Sequence, residues 1–210
     1  MLFQTLFTNP ILFLSFLIAL IVAISFHEAA HAFSALKLGD DTAQKFGRTT
    51  LNPLAHLDLI GTLFLLFFGF GWGKPVPINP HNFKHPHRDE FLSSLAGPLT
   101  NFALAIIFGL TLRFAGNIIS DNLQVLFSLL TFINLILMIF NLLPIPPLDG
   151  SKILRLFISE EMYWRFSQNG LWILIALLFL TYFGLPIFET IIYTPSNFLF
   201  GLITNGQIGF

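Results

Sequence analysis

The chain has 210 residues, of which 55% are hydrophobic and only 10% are charged, with a formal net charge of -1. An ordinary soluble domain is about a quarter charged, so this composition excludes a typical water-soluble fold and indicates a bundle of membrane-spanning helices. The ten basic residues form no long run and no cysteine is present, which argues against a nucleic-acid partner and excludes disulfides and thiolate metal ligands.

Residues Pro10–Leu38 are predicted to form the first membrane span. Proline stands at its start, its body is apolar, and Gly39 followed by two aspartates marks its end. The next apolar run, Leu59–Phe70, has 12 residues, whereas a spanning helix needs about 20. We therefore expect this run to enter the membrane and return on the same side. The segment 71–90 is rich in glycine and proline, which predicts turns and a partly extended chain with short strands.

Two complete spans are predicted after this segment, at Phe91–Ala115 and Asn122–Leu143, the second ended by a proline-rich sequence. A loop or surface helix at 151–168 is expected to lead into a further span at Gly170–Tyr193, bent near its C-terminal end. The tail, residues 194–210, is expected to lie at the interface or to form a partial last span. The sequence thus predicts an all-α polytopic membrane protein with four to six transmembrane helices.

The first predicted span contains His27, Glu28 and His31 in the pattern H-E-x-x-H. The spacing places both imidazoles on one helix face about 6 Å apart, close enough to bind one zinc ion, with Glu28 beside it as a base. A pattern this short also recurs by chance, and a hydrogen-bonded cluster between helices is the structural alternative. Ionisable residues inside a spanning helix are costly unless they are paired or metal-bound, however, which favours a functional site.

A third ligand is required, because a catalytic zinc usually has three protein ligands and one open position. At about 1.5 Å per residue, His27 lies about 24 Å from the start of its helix and His31 about 10 Å from the end, so the site is inside the bilayer and nearer the cytosolic face. Asp149 is the best candidate, because it follows the proline-broken end of the third span on the same side. A simple Asp-Gly turn is the structural alternative.

Three segments together resemble the signature segments of the site-2 protease family, a family of intramembrane zinc metalloproteases. They are HEAAHA in the first span, GPLTN at Gly97–Asn101 and NLLPIPPLDG at Asn141–Gly150, and they stand in the family's order. The stretches LNPLAHLDLIGT and GKPVPINP resemble a compact prokaryotic branch of that family, without a PDZ or sensor domain. The resemblance covers about residues 20–160.

The resemblance implies an activity as well as a fold. One zinc ion per chain would be bound by His27, His31 and Asp149, with Glu28 as the catalytic base. The chain would then be an endopeptidase that hydrolyses peptide bonds within or near transmembrane segments of membrane-protein substrates. A catalytically silent adaptor that binds membrane helices and a metal transporter are the alternatives. The intact base argues against the adaptor, and the lack of an internal repeat argues against the transporter.

Other polar residues have less defined roles. Asn101 and Asn141 lie at the cytosolic ends of their spans, and the resemblance implies that they orient substrate or stabilise an oxyanion, while an interhelical hydrogen bond is equally expected. His56 could reach the site, although a turn or capping role is favoured. The loop before the second span holds three histidines without defined ligand geometry, so a polar interfacial loop is favoured over a second metal site. These histidines are His81, His85 and His87.

The chain is predicted to form a single integral-membrane domain, 1–210, with a catalytic core at about 10–150 and additional helices at 151–210. If the short apolar run re-enters, every basic residue except Arg113 lies on one face of the membrane. By the positive-inside rule that face is the cytosol, which predicts a multi-pass protein of the plasma membrane.

Overall fold

The computed structural model describes residues 2–68 and 71–206, most of which are helical. These residues contain eight α-helices, α1 to α8, in chain order at Leu2–Thr8, Pro10–Leu38, Thr42–Lys45, Leu59–Phe68, Pro86–Ala115, Asp121–Asn141, Glu160–Tyr182 and Thr194–Thr204. Short 3-10 helices occupy Pro53–Ala55, Pro80–Asn82, Gly116–Ile118 and Asp149–Leu156, and a π-helical turn occupies Glu189–Tyr193. No strand is present among the described residues, so the predicted all-α class is confirmed.

Three of these helices are long and apolar enough to cross a membrane: α2, α5 and α6. They pack against one another as the central bundle of the molecule. Ala19 and Ala23 of α2 are fully buried in a core that they share with Leu130 and Ile133 of α6. Small residues at such a contact let two helix backbones approach closely in a membrane protein. The chain is therefore a membrane protein, and the full number of its spans stays a prediction.

The first span has the predicted bounds because both of its ends are capped. At the start, the side chain of Asn9 accepts a hydrogen bond from the Leu12 amide, and Pro10 occupies the first helical position. At the end, Gly39 has a φ of +110°, a left-handed conformation that glycine adopts without strain. The pattern H-E-x-x-H therefore lies well inside a continuous helix.

Between the first two spans the chain turns back on itself as predicted, and its re-entrant course in a membrane stays a prediction. Helix α4 has 10 residues, which gives a length of about 15 Å, half of a hydrocarbon core. Leu57 and Gly73 form an antiparallel bridge on its two sides, and the Lys74 amide donates to the His56 carbonyl at 2.8 Å. The chain thus enters and leaves α4 at the same place. Residues 69–70 of the predicted run lie outside the described residues.

Asp40, directly after α2, ties this helix to the loop before α5. Its buried carboxylate accepts hydrogen bonds from Thr42, from the Asn79 amide at 2.7 Å and from Asn82 at 2.7 Å. Burial by itself would raise the pKa of Asp40, but these hydrogen bonds lower its pKa below the ordinary value. The loop that precedes α5 is therefore anchored to the end of the helix that carries both histidines.

The second predicted span begins earlier than expected. Residues 86–90 were predicted as turns, but α5 begins at Pro86, which occupies its first position. The Asp89 carboxylate accepts a hydrogen bond from the His85 amide at 3.0 Å and so caps the first turn. The short strands predicted nearby are also wrong, since residues 71–85 hold an isolated bridge at Gly73 and a 3-10 turn in otherwise irregular chain.

The predicted fourth span at Gly170–Tyr193 is wrong in its bounds. Helix α7 begins ten residues earlier, where Ser159 caps it, and it ends at Tyr182. Gly184 has a φ of +94°, so the chain breaks there instead of bending. Helix α8 then packs against α5 and α6, with Phe200 buried in their core. This part of the tail belongs to the bundle, and residues 207–210 lie outside the described residues.

Candidate metal centre

Two histidines of α2 and one aspartate from the segment after α6 converge on one point. The Nε2 atoms of His27 and His31 are 3.0 Å apart, and Oδ2 of Asp149 lies 3.1 Å and 3.2 Å from them. A zinc ion binds nitrogen and oxygen ligands at about 2.0–2.1 Å, which separates tetrahedral ligand atoms by about 3.3 Å. Among the described residues, this is the group whose geometry could hold a metal ion.

Hydrogen bonds fix the tautomer of both histidines. Nδ1 of His27 lies 2.5 Å from Oδ1 of Asn101, and Nδ1 of His31 lies 2.8 Å from the Ser93 carbonyl. Both partners can only accept, so each Nδ1 must carry the proton and each Nε2 must keep a free electron pair. Both imidazoles therefore present their metal-binding nitrogens to the same point.

Asp149 completes a cluster that requires a cation. Its Oδ2 atom is buried without a hydrogen-bond donor, although it faces the two imidazoles. Three electron-pair donors converging without a proton between them repel one another, and a bound cation removes that repulsion. A cavity of about 90 Å³ reaches Asp149 from the side of Phe91 and Leu142. The residues therefore fit a zinc ion, and the cavity adjoins one of its three candidate ligands.

Helix α5 contributes no ligand but approaches the cluster closely at Gly97. A Cβ atom at this position would lie 2.6 Å from Cε1 and 2.7 Å from Nε2 of His27, and it would also clash with Nε2 of His31. Only glycine leaves room there for the imidazoles and a metal ion. The GPLTN segment thus has a steric reason to begin with glycine.

A buried amide network holds His27 from behind. The Asn101 amide nitrogen donates to the Ala23 carbonyl at 3.1 Å and to Oδ1 of Asn134 at 2.7 Å, while its oxygen accepts from His27. Asn134 in turn donates to the Leu130 carbonyl at 2.7 Å. Every donor of Asn101 is used, so none is free for an oxyanion. Of the two roles expected for Asn101, the structure favours the interhelical hydrogen bond.

Glu28 lies beside the extended segment that returns from α4. A Cβ atom at Gly73 would lie 3.8 Å from Oε1 of Glu28 and 3.2 Å from the His56 carbonyl. The backbone around Gly73 therefore forms one wall next to this carboxylate. Glu28 is not one of the three clustered donors, which leaves it available as a base beside them.

The remaining predicted residues lie apart from the cluster. His56 is buried and its Nε2 donates to the Thr50 carbonyl at 2.7 Å, which supports its turn role. Asn141 donates to the Leu137 carbonyl at 3.0 Å within α6, and its role toward a substrate stays a prediction. Within the described residues, the three histidines predicted in a loop form no metal-binding group, and the last of them lies in α5: His81, His85 and His87.

The sequence reasoning missed several residues of the site. Asn134 lies in the middle of an apolar span, and the rule that marked the histidines as unusual at that depth applies to it as well. Ser93 acts through its backbone carbonyl, which leaves no signal in its residue type. The role of Gly97 could be suspected from its motif, but the clash with the imidazoles could not.

Comparison with known proteins agrees with this geometry. The model of peptidase family M50 matches residues 112–183, a segment that contains Asp149. The zinc metalloprotease candidate YwhC of Bacillus subtilis (strain 168) is 42% identical over 187 residues, which cover 86% of this chain and 84% of that protein. The chain belongs to peptidase family M50. The site-2 protease family is peptidase family M50, so the resemblance found in the sequence is confirmed.

More distant relatives carry similar names. The zinc metalloprotease candidate Rip2 of Mycobacterium tuberculosis (strain ATCC 25618 / H37Rv) is 34% identical over 145 residues, or 67% of this chain and 56% of Rip2. Zinc metalloprotease MJ0392 of Methanocaldococcus jannaschii is 28% identical over 153 residues, or 73% of this chain and 37% of that protein. The chain thus spans little more than half of Rip2 and about a third of MJ0392. No solved structure matches the chain.

Family and geometry together define the class of this M50 protein. It is a membrane-embedded zinc metalloendopeptidase, and zinc is its cofactor.

Proposed function

We propose that this M50 peptidase cleaves membrane-protein substrates within or near their transmembrane segments. The position of the candidate metal centre carries the proposal: His27 and His31 lie inside α2, one of the three helices able to span a membrane. A metal site at that depth is within reach of peptide bonds that a soluble protease cannot approach. Its partners would be membrane proteins with a transmembrane helix and the lipid bilayer itself.

The same proposal assigns the roles of the four residues. His27, His31 and Asp149 hold the zinc ion, and Glu28 is the general base. When bound, zinc supplies a Lewis acid that polarises the scissile carbonyl and acidifies a water molecule. The Glu28 carboxylate accepts the proton of the attacking water and then delivers it to the nitrogen of the leaving amine, so that the peptide bond is hydrolysed.

The site is proposed to lie nearer the cytosolic face of the plasma membrane. Helix α5 supports this orientation, since Arg88 lies in its first turn and Arg113 in its last. Lys152 and Arg155 pair with Glu90, close to Arg88, whereas Arg113 lies at the opposite end of the helix. Basic residues concentrate on the cytosolic side of membrane proteins.

The test is cleavage of a panel of single-span membrane peptides by the purified protein in detergent, with bound zinc measured in parallel. We expect Glu28→Gln to retain zinc and lose cleavage, and Asp149→Ala to bind zinc more weakly. Glu161→Gln is the matched control, because Glu161 pairs with the exposed Arg165 on α7. Cleavage by Glu28→Gln at the wild-type rate would refute the role of the base. Zinc binding without cleavage of any peptide by wild type would favour the adaptor or transporter interpretation.

A further inference from the structure

One face of α5 holds the residues that position the candidate metal centre. Ser93, Gly97 and Asn101 follow one another at four-residue spacing and contact His31 or His27 as described above. Glu90 stands one turn earlier on the same face and touches neither histidine. Its environment therefore needs a separate explanation.

Glu90 is a buried carboxylate held between two cations. Its side chain is 8% exposed, and Oε1 lies 3.1 Å from Nζ of Lys152. Its other oxygen accepts a hydrogen bond from the guanidinium of Arg155. Both cations belong to the 3-10 helix Asp149–Leu156, which Asp149 begins. The ion pairs therefore join α5 directly to the element that supplies the proposed third ligand.

The same two cations also contact the start of α7. Arg155 makes a second ion pair with Glu160 at 2.9 Å, and Lys152 donates to the Tyr163 hydroxyl at 3.2 Å. Both cations lie over the buried Tyr163 ring, at 5.6 Å for Lys152 and 5.1 Å for Arg155. We call this cluster the Glu90 clasp, which consists of Glu90, Lys152, Arg155, Glu160 and Tyr163.

The opposite end of the Asp149 segment is fixed by packing. A Cβ atom at Gly150 would clash with the carbonyl groups of Leu142 and Leu143 at the end of α6. Asp149 is thus held on one side by this close approach and on the other by the Glu90 clasp.

We propose that Glu90 is a positioning residue that sets the distance between Asp149 and the two histidines by holding Lys152 and Arg155. This inference rests on the proposed function, in which Asp149 is a zinc ligand. Removal of the charge takes the buried carboxylate from Lys152 and leaves Arg155 with Glu160 alone. Breaking a buried ion pair in this way is strongly unfavourable and frees the segment to move. A displacement of a few tenths of an ångström is enough to weaken a metal bond.

The experiment compares zinc affinity of the full-length protein with that of Glu90→Gln, which keeps the size of the side chain. We expect affinity to fall by about 10–100-fold, the usual effect of losing a residue that orients a ligand. Glu161→Gln is the matched control, with the same change of charge in an exposed pair, and its affinity should equal that of wild type. If Glu90→Gln does not fold, Lys152→Gln replaces it in the comparison. Because Lys152→Gln leaves the Arg155 pair in place, we expect a smaller loss of zinc affinity.

A double-mutant cycle separates positioning from general stability. In an Asp149→Ala background, Glu90→Gln should cause no further loss of zinc affinity, because the residue through which it acts is gone. With cobalt in place of zinc, the visible spectrum of Glu90→Gln should shift toward that of Asp149→Ala. An additive loss in the double variant, or a spectrum equal to that of wild type, would overturn the inference.

The outcomes also separate this inference from the proposed function. If Asp149→Ala binds zinc as tightly as wild type, the proposed ligand set fails, and the role of Glu90 fails with it. If Asp149→Ala weakens binding but both clasp variants bind normally, only the inference about Glu90 is wrong.

Discussion

Replacement of Gly97 by alanine places a methyl group beside the two imidazoles that are proposed to bind zinc. The new Cβ atom would lie 2.7 Å from Nε2 of His27, whereas ordinary contacts begin at 3.4 Å. The imidazole or α5 must therefore move by several tenths of an ångström. Zinc–nitrogen bonds of about 2.0–2.1 Å tolerate changes of about 0.2 Å, so the metal site cannot remain intact.

We expect Gly97→Ala to lower zinc affinity by about 10–100-fold and to lower the rate of cleavage in proportion. His27 cannot simply turn away, because its Nδ1 is held at 2.5 Å by Asn101. The assay is competition of the purified protein with a zinc chelator of known affinity. Gly201→Ala on α8 is the control, since a Cβ atom there meets nothing within 4 Å. Wild-type zinc affinity in Gly97→Ala would refute the close approach of α5 to the metal.

Three further predictions concern the neighbourhood of the site. Asn101→Ala should weaken zinc binding by about 10–100-fold in the same competition assay, because His27 loses its orienting acceptor. Chelation of zinc should lower the thermal unfolding temperature of wild type but not of Asp149→Ala. A bound ligand whose free concentration is about 1,000 times its Kd stabilises the folded protein by about 4 kcal/mol, and chelation removes this stabilisation. The pKa of Asp40 is lower in the folded than in the unfolded protein, so this carboxylate stabilises the fold. Its contribution is complete above the ordinary pKa of aspartate and is lost as pH falls through the lowered pKa. Asp40→Asn should therefore flatten this acid dependence in unfolding measured across pH.

A different result would contradict each of these three predictions. Normal zinc affinity of Asn101→Ala would mean that His27 needs no partner to bind metal. Equal loss of thermal stability on chelation in Asp149→Ala would mean that zinc binds elsewhere. An unchanged acid profile of Asp40→Asn would mean that the hydrogen bonds of this carboxylate do not persist in solution.

The local part of the metal centre could be predicted from the sequence because helix geometry alone determines it. The spacing of His27 and His31 places both rings on one face, and their depth in an apolar helix makes a functional role the favoured interpretation. Asp149 could be found because the prolines end α6 at the same depth. The structure brings all three side chains together, as predicted from the pattern H-E-x-x-H and from the prolines that end the third span.

The supporting residues could not be predicted, because they depend on how helices pack. Glu90 meets Arg155 across 65 positions of sequence, and no local pattern links them. The start of α5 was missed although Pro86 and an acidic first turn are ordinary signals of a helix start. The predicted bend near Gly184 became a break, because a left-handed φ ends a helix.

X-ray absorption at the zinc edge of the purified protein tests the central claim most directly. We expect one zinc ion per chain with two imidazole nitrogens and oxygen ligands at about 2.0–2.2 Å, and a much weaker zinc signal in Asp149→Ala. A zinc environment with three or more imidazoles, or one unchanged by Asp149→Ala, would contradict it.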